Sequence, residues 1–345
     1  MRALVALLVS LAIPFPELAA RPVNINGLAV PVETVSPELA EIMAKPAPAA
    51  PAPESVEAWE KLQAASDGQR GTDATTLAKS LGCRIEEKTV AGVRCYLVTP
   101  KEVPASHQDR LLVHLHGGAY ILGSGVGATM EAILVAASTG TPVLSVDYRM
   151  PPEHPFPAAL DDAVVVWKEL LKDRKPSQLA LLGTSAGGGL TMATVHKLKE
   201  LDVPLPAALM LGTPASDLTK TGDTYSTNAG TDNMLGRYEG FLEESFKLYA
   251  GDNNMKDPLI SPIYGDFTGF PPTILISGTR DLFLSNTVRA HRKMRAARVP
   301  AELHVYEGQS HADYLRAPQA PESKDAFREV AAFFDRHLAP DATKP

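Results

Sequence analysis

The chain has 345 residues, of which 45% are hydrophobic and 21% charged, with 33 basic against 40 acidic side chains and a net charge of −7. That composition excludes a disordered or fibrous protein and suffices for one large α/β domain with additions, or for two smaller domains. No sustained basic run is available to neutralise phosphates, so nucleic acid is not an expected partner.

In chain order, the first segment is residues 1–20, with Arg2 as a minimal positive region, an apolar run from Ala3 to Ile13, and small residues at Ala19 and Ala20. It reads as a secretory signal, which predicts a periplasmic or secreted protein. The alternative is an N-terminal helix packed on the body of a cytoplasmic protein. Pro14 and Pro16 interrupt the apolar run, so no stable membrane insertion is expected after cleavage.

Residues 44–54 are an alanine and proline tract that cannot hold a helix and serves as a connector. Within the segment 21–80, helical character is read at Ser55 to Ala65 and at Asp73 to Ser80, followed by a β-hairpin over about Arg84 to Thr99. The only cysteines, Cys83 and Cys95, fall on this hairpin. Folding it about Ala91-Gly92 brings Cys95 nearer Glu87 than Cys83, so two free thiols are expected rather than a disulfide.

From there the pattern alternates. Apolar strands are predicted at Leu111–Leu115, Pro142–Val146, Leu179–Leu182, Ala207–Leu211, Thr273–Ile276 and Ala301–Val305. Helices are predicted between and after them at Ala128–Ser138, Ala158–Lys172, Gly188–Lys199, Ser285–Ala297 and Ser323–His337. This alternation implies a parallel sheet covered by helices. One interval is out of rhythm: about sixty residues separate the strand ending near Gly212 from that opening at Thr273, far more than an ordinary crossover. Residues 217–262 therefore read as an insertion above the sheet which, with segment 21–80, forms a cap. The catalytic domain is read as 81–338, and residues 339–345 as a disordered tail.

The chemistry gathers at the carboxyl ends of the strands. Gly183-Thr184-Ser185-Ala186-Gly187 stands where an apolar strand hands over to a helix, the setting of a nucleophile elbow with Ser185 exposed at its tip. Asp281 follows the strand ending in Ser277, and His311 lies in a polar loop after the last strand. The order Ser185, Asp281, His311 is that of an α/β-hydrolase triad. His116-Gly117-Gly118-Ala119 follows the strand Leu111–Leu115, and the N–H groups of Gly117, Gly118 and Ala186 are the expected oxyanion donors. Asp257 is an alternative acid, and His304 and His337 are alternative bases at positions that do not present them to Ser185. His116 reads as a loop organiser. His114 and His116 share a strand face without a third ligand nearby, so neither a metal nor a cofactor is expected.

Together with the block from Asp147 to Asp162, beginning Asp147-Tyr148-Arg149-Met150-Pro151-Pro152-Glu153-His154-Pro155, these motifs resemble the bacterial hormone-sensitive-lipase-like esterases over about residues 80–338. Thr184 resembles the GTSAG subgroup, and Ala119 departs from the third glycine of many members. The resemblance implies an eight-stranded α/β-hydrolase fold with a helical cap, and serine carboxylesterase activity on small-molecule esters of short to medium acyl chain. Arg149 is expected to pair with Asp161 or Asp162. Similar esterases are frequently dimers, so a homodimer is expected to be possible here. Lactone hydrolysis or acyl transfer on the same triad is the alternative reaction, and a non-catalytic ligand-binding protein on the same scaffold is a third reading that His311 argues against.

Overall fold

The computed structural model describes residues 23–25, 28–30, 33–48 and 51–338; the predicted signal, residues 1–20, and the tail 339–345 lie outside the described residues. A short antiparallel ribbon pairs β1 (Val23–Ile25) with β2 (Leu28–Val30). The main sheet has eight strands: β3 (Arg84–Val90), β4 (Val93–Thr99), β5 (Leu111–Leu115), β6 (Val143–Val146), β7 (Leu179–Thr184), β8 (Ala208–Gly212), β9 (Thr273–Gly278) and β10 (Ala301–Tyr306). Their spatial order is β3-β4-β6-β5-β7-β8-β9-β10, with only β4 running against the rest. The interior strands are buried along their whole length and mostly apolar because helices cover both faces, so the few polar residues they carry, such as His114, must find partners inside.

The helices are α1 (Pro37–Met43), α2 (Val56–Leu81), α3 (Met130–Thr139), α4 (Ala158–Leu170), α5 (Ala186–Glu200), α6 (Thr224–Thr227), α7 (Phe241–Ala250), α8 (Leu284–Ala296), α9 (Asp313–Arg316) and α10 (Pro321–His337). One buried cluster, from α3 and α10 with part of α2, packs on one side of the sheet; a larger one, from α4, α5, α7 and α8, fills the other. In the hairpin Cys95 sits opposite Lys88, and both cysteines are free.

Two N-terminal features differ from the sequence reading. The two expected helices are one, α2, running through Gly68 and Gly71 without a break. Tertiary bonds override the two glycines' low propensity. Gln63 donates to the carbonyls of Ile121 and Pro151, and Asp67 accepts from the N–H groups of Gly123 and Ser124 and from the Ser124 hydroxyl. Helix α1 was not expected at all. Ser36 caps it by accepting from Leu39 N–H and donates its hydroxyl to Glu322 at the start of α10.

The insertion carries α6 and α7, the latter opening at Phe241 because Gly240 adopts a left-handed φ of 93°. Trp59 of α2 meets Phe241 with ring centroids 5.5 Å apart, so the N-terminal segment and the insertion touch each other over the sheet. In the Asp147–Asp162 block, the Arg149 guanidinium bonds to buried Asp162, 2.7 Å from Nη2 to Oδ1, and Arg149 N–H donates to the same carboxylate. The partner is thus Asp162 rather than Asp161.

Candidate active site

Strand β7 ends at Thr184 and α5 begins at Ala186, so Ser185 alone makes the turn, with φ 61° and ψ −124°. A non-glycine residue in this region stores strain that the surroundings must hold. They do so by close approach: a Cβ on Gly187 would stand 1.9 Å from the Leu115 carbonyl oxygen, and one on Gly183 2.4 Å from the same atom. The flanking glycines therefore let the elbow press against the end of β5.

The loop after β5 lies beside the elbow, since a Cβ on Gly117 would be 2.8 Å from the Thr184 carbonyl oxygen and 3.3 Å from Ser185 Cβ. Gly118 has φ 126°, and Ala119 and Tyr120 follow at 55° and 64°. Among the described residues the N–H groups of Gly117, Gly118 and Ala186 donate to no carbonyl or side chain, so they are available to an incoming oxygen. His116 organises the loop through an Nδ1 bond to the Gly117 carbonyl at 3.0 Å. Its ring stacks on Tyr148 at 4.0 Å, and the Tyr148 hydroxyl donates to the His116 carbonyl.

On the other side, His311 Nδ1 is 3.0 Å from Asp281 Oδ1. Asp281 also accepts from the Ser277 hydroxyl and from Phe283 N–H, so the carboxylate that meets His311 is held on two further sides. Burial works against its charge, but His311 and these bonds outweigh it and hold the carboxyl below its usual range. His311 Nε2 is buried and bonded to nothing among the described residues, and His311 lines the same cavity as Ser185. Asp257 instead accepts from Leu259 N–H in its own turn. His304 lies 3.8 Å from Glu302 and His337 packs on Phe333, both away from the cavity.

Several residues at the site carry no sequence motif. Thr213, just after β8 with φ 36°, places its hydroxyl 2.7 Å from His311 Nδ1. If Nδ1 carries the proton, as a base acting through Nε2 requires, this hydroxyl accepts from it and is left to donate to Asp281, fixing the tautomer. Asp232, from the insertion, is a second buried carboxylate; its ligand atoms and those of Asp281 and His311 lie within 4.8 Å of one another. It accepts from Leu282 N–H through Oδ2 and from Met234 and Leu235 N–H through Oδ1. Burial, then the nearby charge of Asp281, push its carboxyl up to about 6.

Beneath the elbow, the Thr184 hydroxyl donates to Glu131, accepts from Tyr314, and so joins a buried chain that continues through His114 to Ser145. Both ring nitrogens of His114 are thereby engaged. Of these residues Thr184 and His114 were visible in the sequence and the others were not; helix α1 also had a readable signal, since Ser36-Pro37-Glu38 is a helix-start pattern, and α1 seats Met43 against the Gly308 turn that leads into His311.

Two buried histidines make stability depend on pH. Burial lowers His116 from 6.5 to about 3 and His196 from 6.5 to about 4. The fold thus favours their neutral forms, and this contribution is complete above pH 6.5 and lost as pH falls toward those lower values. Asp232 acts in the opposite sense between about 6 and 3.8. In urea titrations, wild type should lose stability relative to a His196→Gln variant as pH falls below 6.5, by on the order of 1 kcal/mol per pH unit. A constant difference between the two proteins from pH 7 to 4.5 would contradict this.

Comparison with known proteins gives a consistent picture. Residues 112–315 match the family described as alpha/beta hydrolase fold. The chain is 32% identical over 231 residues, 67% of its length and 77% of the relative's, to an acetyl-hydrolase of Streptomyces hygroscopicus. It is 32% identical over 249 residues, 71% and 79% of the two chains, to an esterase of Acinetobacter venetianus. Among solved structures it is similar to esterase E25, with 44% identity and a TM-score of 0.87 over 95% of this chain and 99% of that one. It is also similar to an esterase from the bacterial hormone-sensitive lipase family, with 30% identity and a TM-score of 0.75 over 88% and 99% of the chains.

Proposed function

The chain belongs to the hormone-sensitive-lipase-like esterases of the α/β-hydrolase family, and from this we infer that it hydrolyses carboxylic esters through an acyl-enzyme on Ser185. The observation that carries the reading is the state of His311: Nδ1 is tied to a buried carboxylate, while Nε2 is left unbonded on a residue that shares a cavity with the strained Ser185. In the proposed mechanism Nε2 takes the Ser185 proton as Oγ attacks the ester carbonyl. The oxyanion is met by the N–H groups of Gly117, Gly118 and Ala186, each worth on the order of 3 kcal/mol in the transition state. Protonated His311 then gives its proton to the departing alcohol. In the second half, Nε2 takes a proton from water as it attacks the acyl-enzyme, and returns it to Ser185 Oγ as the acid leaves.

Acyl groups of short to medium length fit this site best. The cavity is about 540 Å³, and Phe241, Leu242 and Leu235 of the insertion line it together with Ser185. A series of p-nitrophenyl esters with acyl chains of two to sixteen carbons tests this. The expected kcat/KM is highest at four to eight carbons, with a fall of about tenfold or more by sixteen. A maximum at the longest chains would contradict the assignment of chain length.

A further inference from the structure

Among the described residues the cavity wall carries as many arginines as carboxylates, but only the carboxylates are directly paired. Two acidic side chains line it, and both are engaged: Glu131 with Thr184 and His114, and Glu239 with Lys220. Two arginines also line it, Arg70 from α2 and Arg237 from the insertion, one from each part of the cap. Among the described residues neither guanidinium makes a direct salt bridge or hydrogen bond, although Asp67 acts on Arg70 and Glu239 on Arg237 through space. Arg237 is exposed at the rim. Arg70 is half-buried and reaches the loop of the oxyanion donors, with Nη1 3.5 Å from the position a Cβ on Gly123 would take, itself 3.1 Å from His116 Nδ1. The nearest acid in sequence, Asp67, is already accepting from Gly123 N–H, Ser124 N–H and the Ser124 hydroxyl.

A guanidinium withdrawn from water without a partner is costly, and the cost is recovered when a carboxylate enters and takes two of its N–H groups at once. Most of the remaining wall is apolar, which suits the alkyl chain between such a carboxylate and the reacting ester. We propose that the cavity prefers esters whose non-reacting end carries a carboxylate, bound by Arg70 with Arg237 at the entrance. The proposal rests on the reading of Ser185 as nucleophile and adds the substrate class. The carboxylate takes no part in bond making: the ester is cleaved to acid and alcohol as above, and the distant charge serves only to bind and orient.

The test compares matched pairs in which a carboxylate is replaced by an isopropyl group of similar shape. For a charge on the acyl side the pair is monoethyl glutarate and ethyl 5-methylhexanoate; for one on the alcohol side it is 4-(butyryloxy)butanoate and 4-methylpentyl butyrate. Wild type should favour the charged member in one pair by about tenfold in kcat/KM. Arg70→Met should lower that ratio about tenfold, and Arg70→Lys should restore part of it. Equal or inverted wild-type ratios in both pairs would overturn the proposal without any variant, as would a ratio unmoved in Arg70→Met. Turnover of the neutral esters alone would leave the esterase reading standing while this one falls. No turnover of any of the four would overturn both.

Discussion

Ser185→Ala should lower kcat for a short acyl ester by about 10⁴- to 10⁶-fold while KM changes little. The substitution removes the hydroxyl at the tip of the elbow and leaves its backbone to alanine, which must still adopt φ 61°. Because the Leu115 carbonyl and the two flanking glycines hold that turn, the fold should persist, and circular dichroism and the urea midpoint should stay close to wild type. Residual activity above the uncatalysed rate is expected, since the Gly117, Gly118 and Ala186 donors still stabilise an oxyanion formed by direct attack of water. Near-wild-type turnover in this variant would move the nucleophile elsewhere and overturn the mechanism.

The second large effect concerns which carboxylate serves His311. Asp281→Asn should reduce kcat by about 10³- to 10⁴-fold, because an amide facing Nδ1 no longer fixes the imidazole tautomer or stabilises the imidazolium. Asp232→Asn should cost far less, since its oxygens are taken by the N–H groups of Leu282, Met234 and Leu235, while Asp281 makes the hydrogen bond to His311. Kinetics of the two variants on one ester separate the roles. If Asp232→Asn were the more damaging in kcat, with both proteins folded, the acid would be Asp232, and Asp281 would be the supporting residue.

Sequence carried the sheet and the chemical motifs because both are local. An interior strand such as Leu179–Thr184 opens on an apolar run, Leu179–Leu182, and an elbow needs its glycines beside its serine. What sequence did not carry is whatever depends on distant chain segments meeting. Thr213 stands in an unremarkable Gly-Thr-Pro and gains meaning only because β8 ends beside the loop of His311. Asp232 lies 49 positions before Asp281 in a polar stretch with no pattern, yet the insertion folds it to within reach of the His311 pair. The continuity of α2 was hidden by Gly68 and Gly71, whose local preference is overruled by bonds from Gln63 and Asp67 to loops some sixty residues and more away. Arg70 was hidden with it, since a residue read as lying between two helices has no assigned direction.

Covalent capture decides whether Ser185 is a nucleophile activated by His311. Wild-type protein treated with an alkyl fluorophosphonate should gain the mass of one phosphonyl group, and peptide mapping should place it on Ser185. Ser185→Ala should gain none, and His311→Ala should react slower by several orders of magnitude. A wild-type protein that stays unlabelled, or one labelled at a residue other than Ser185, would contradict the account.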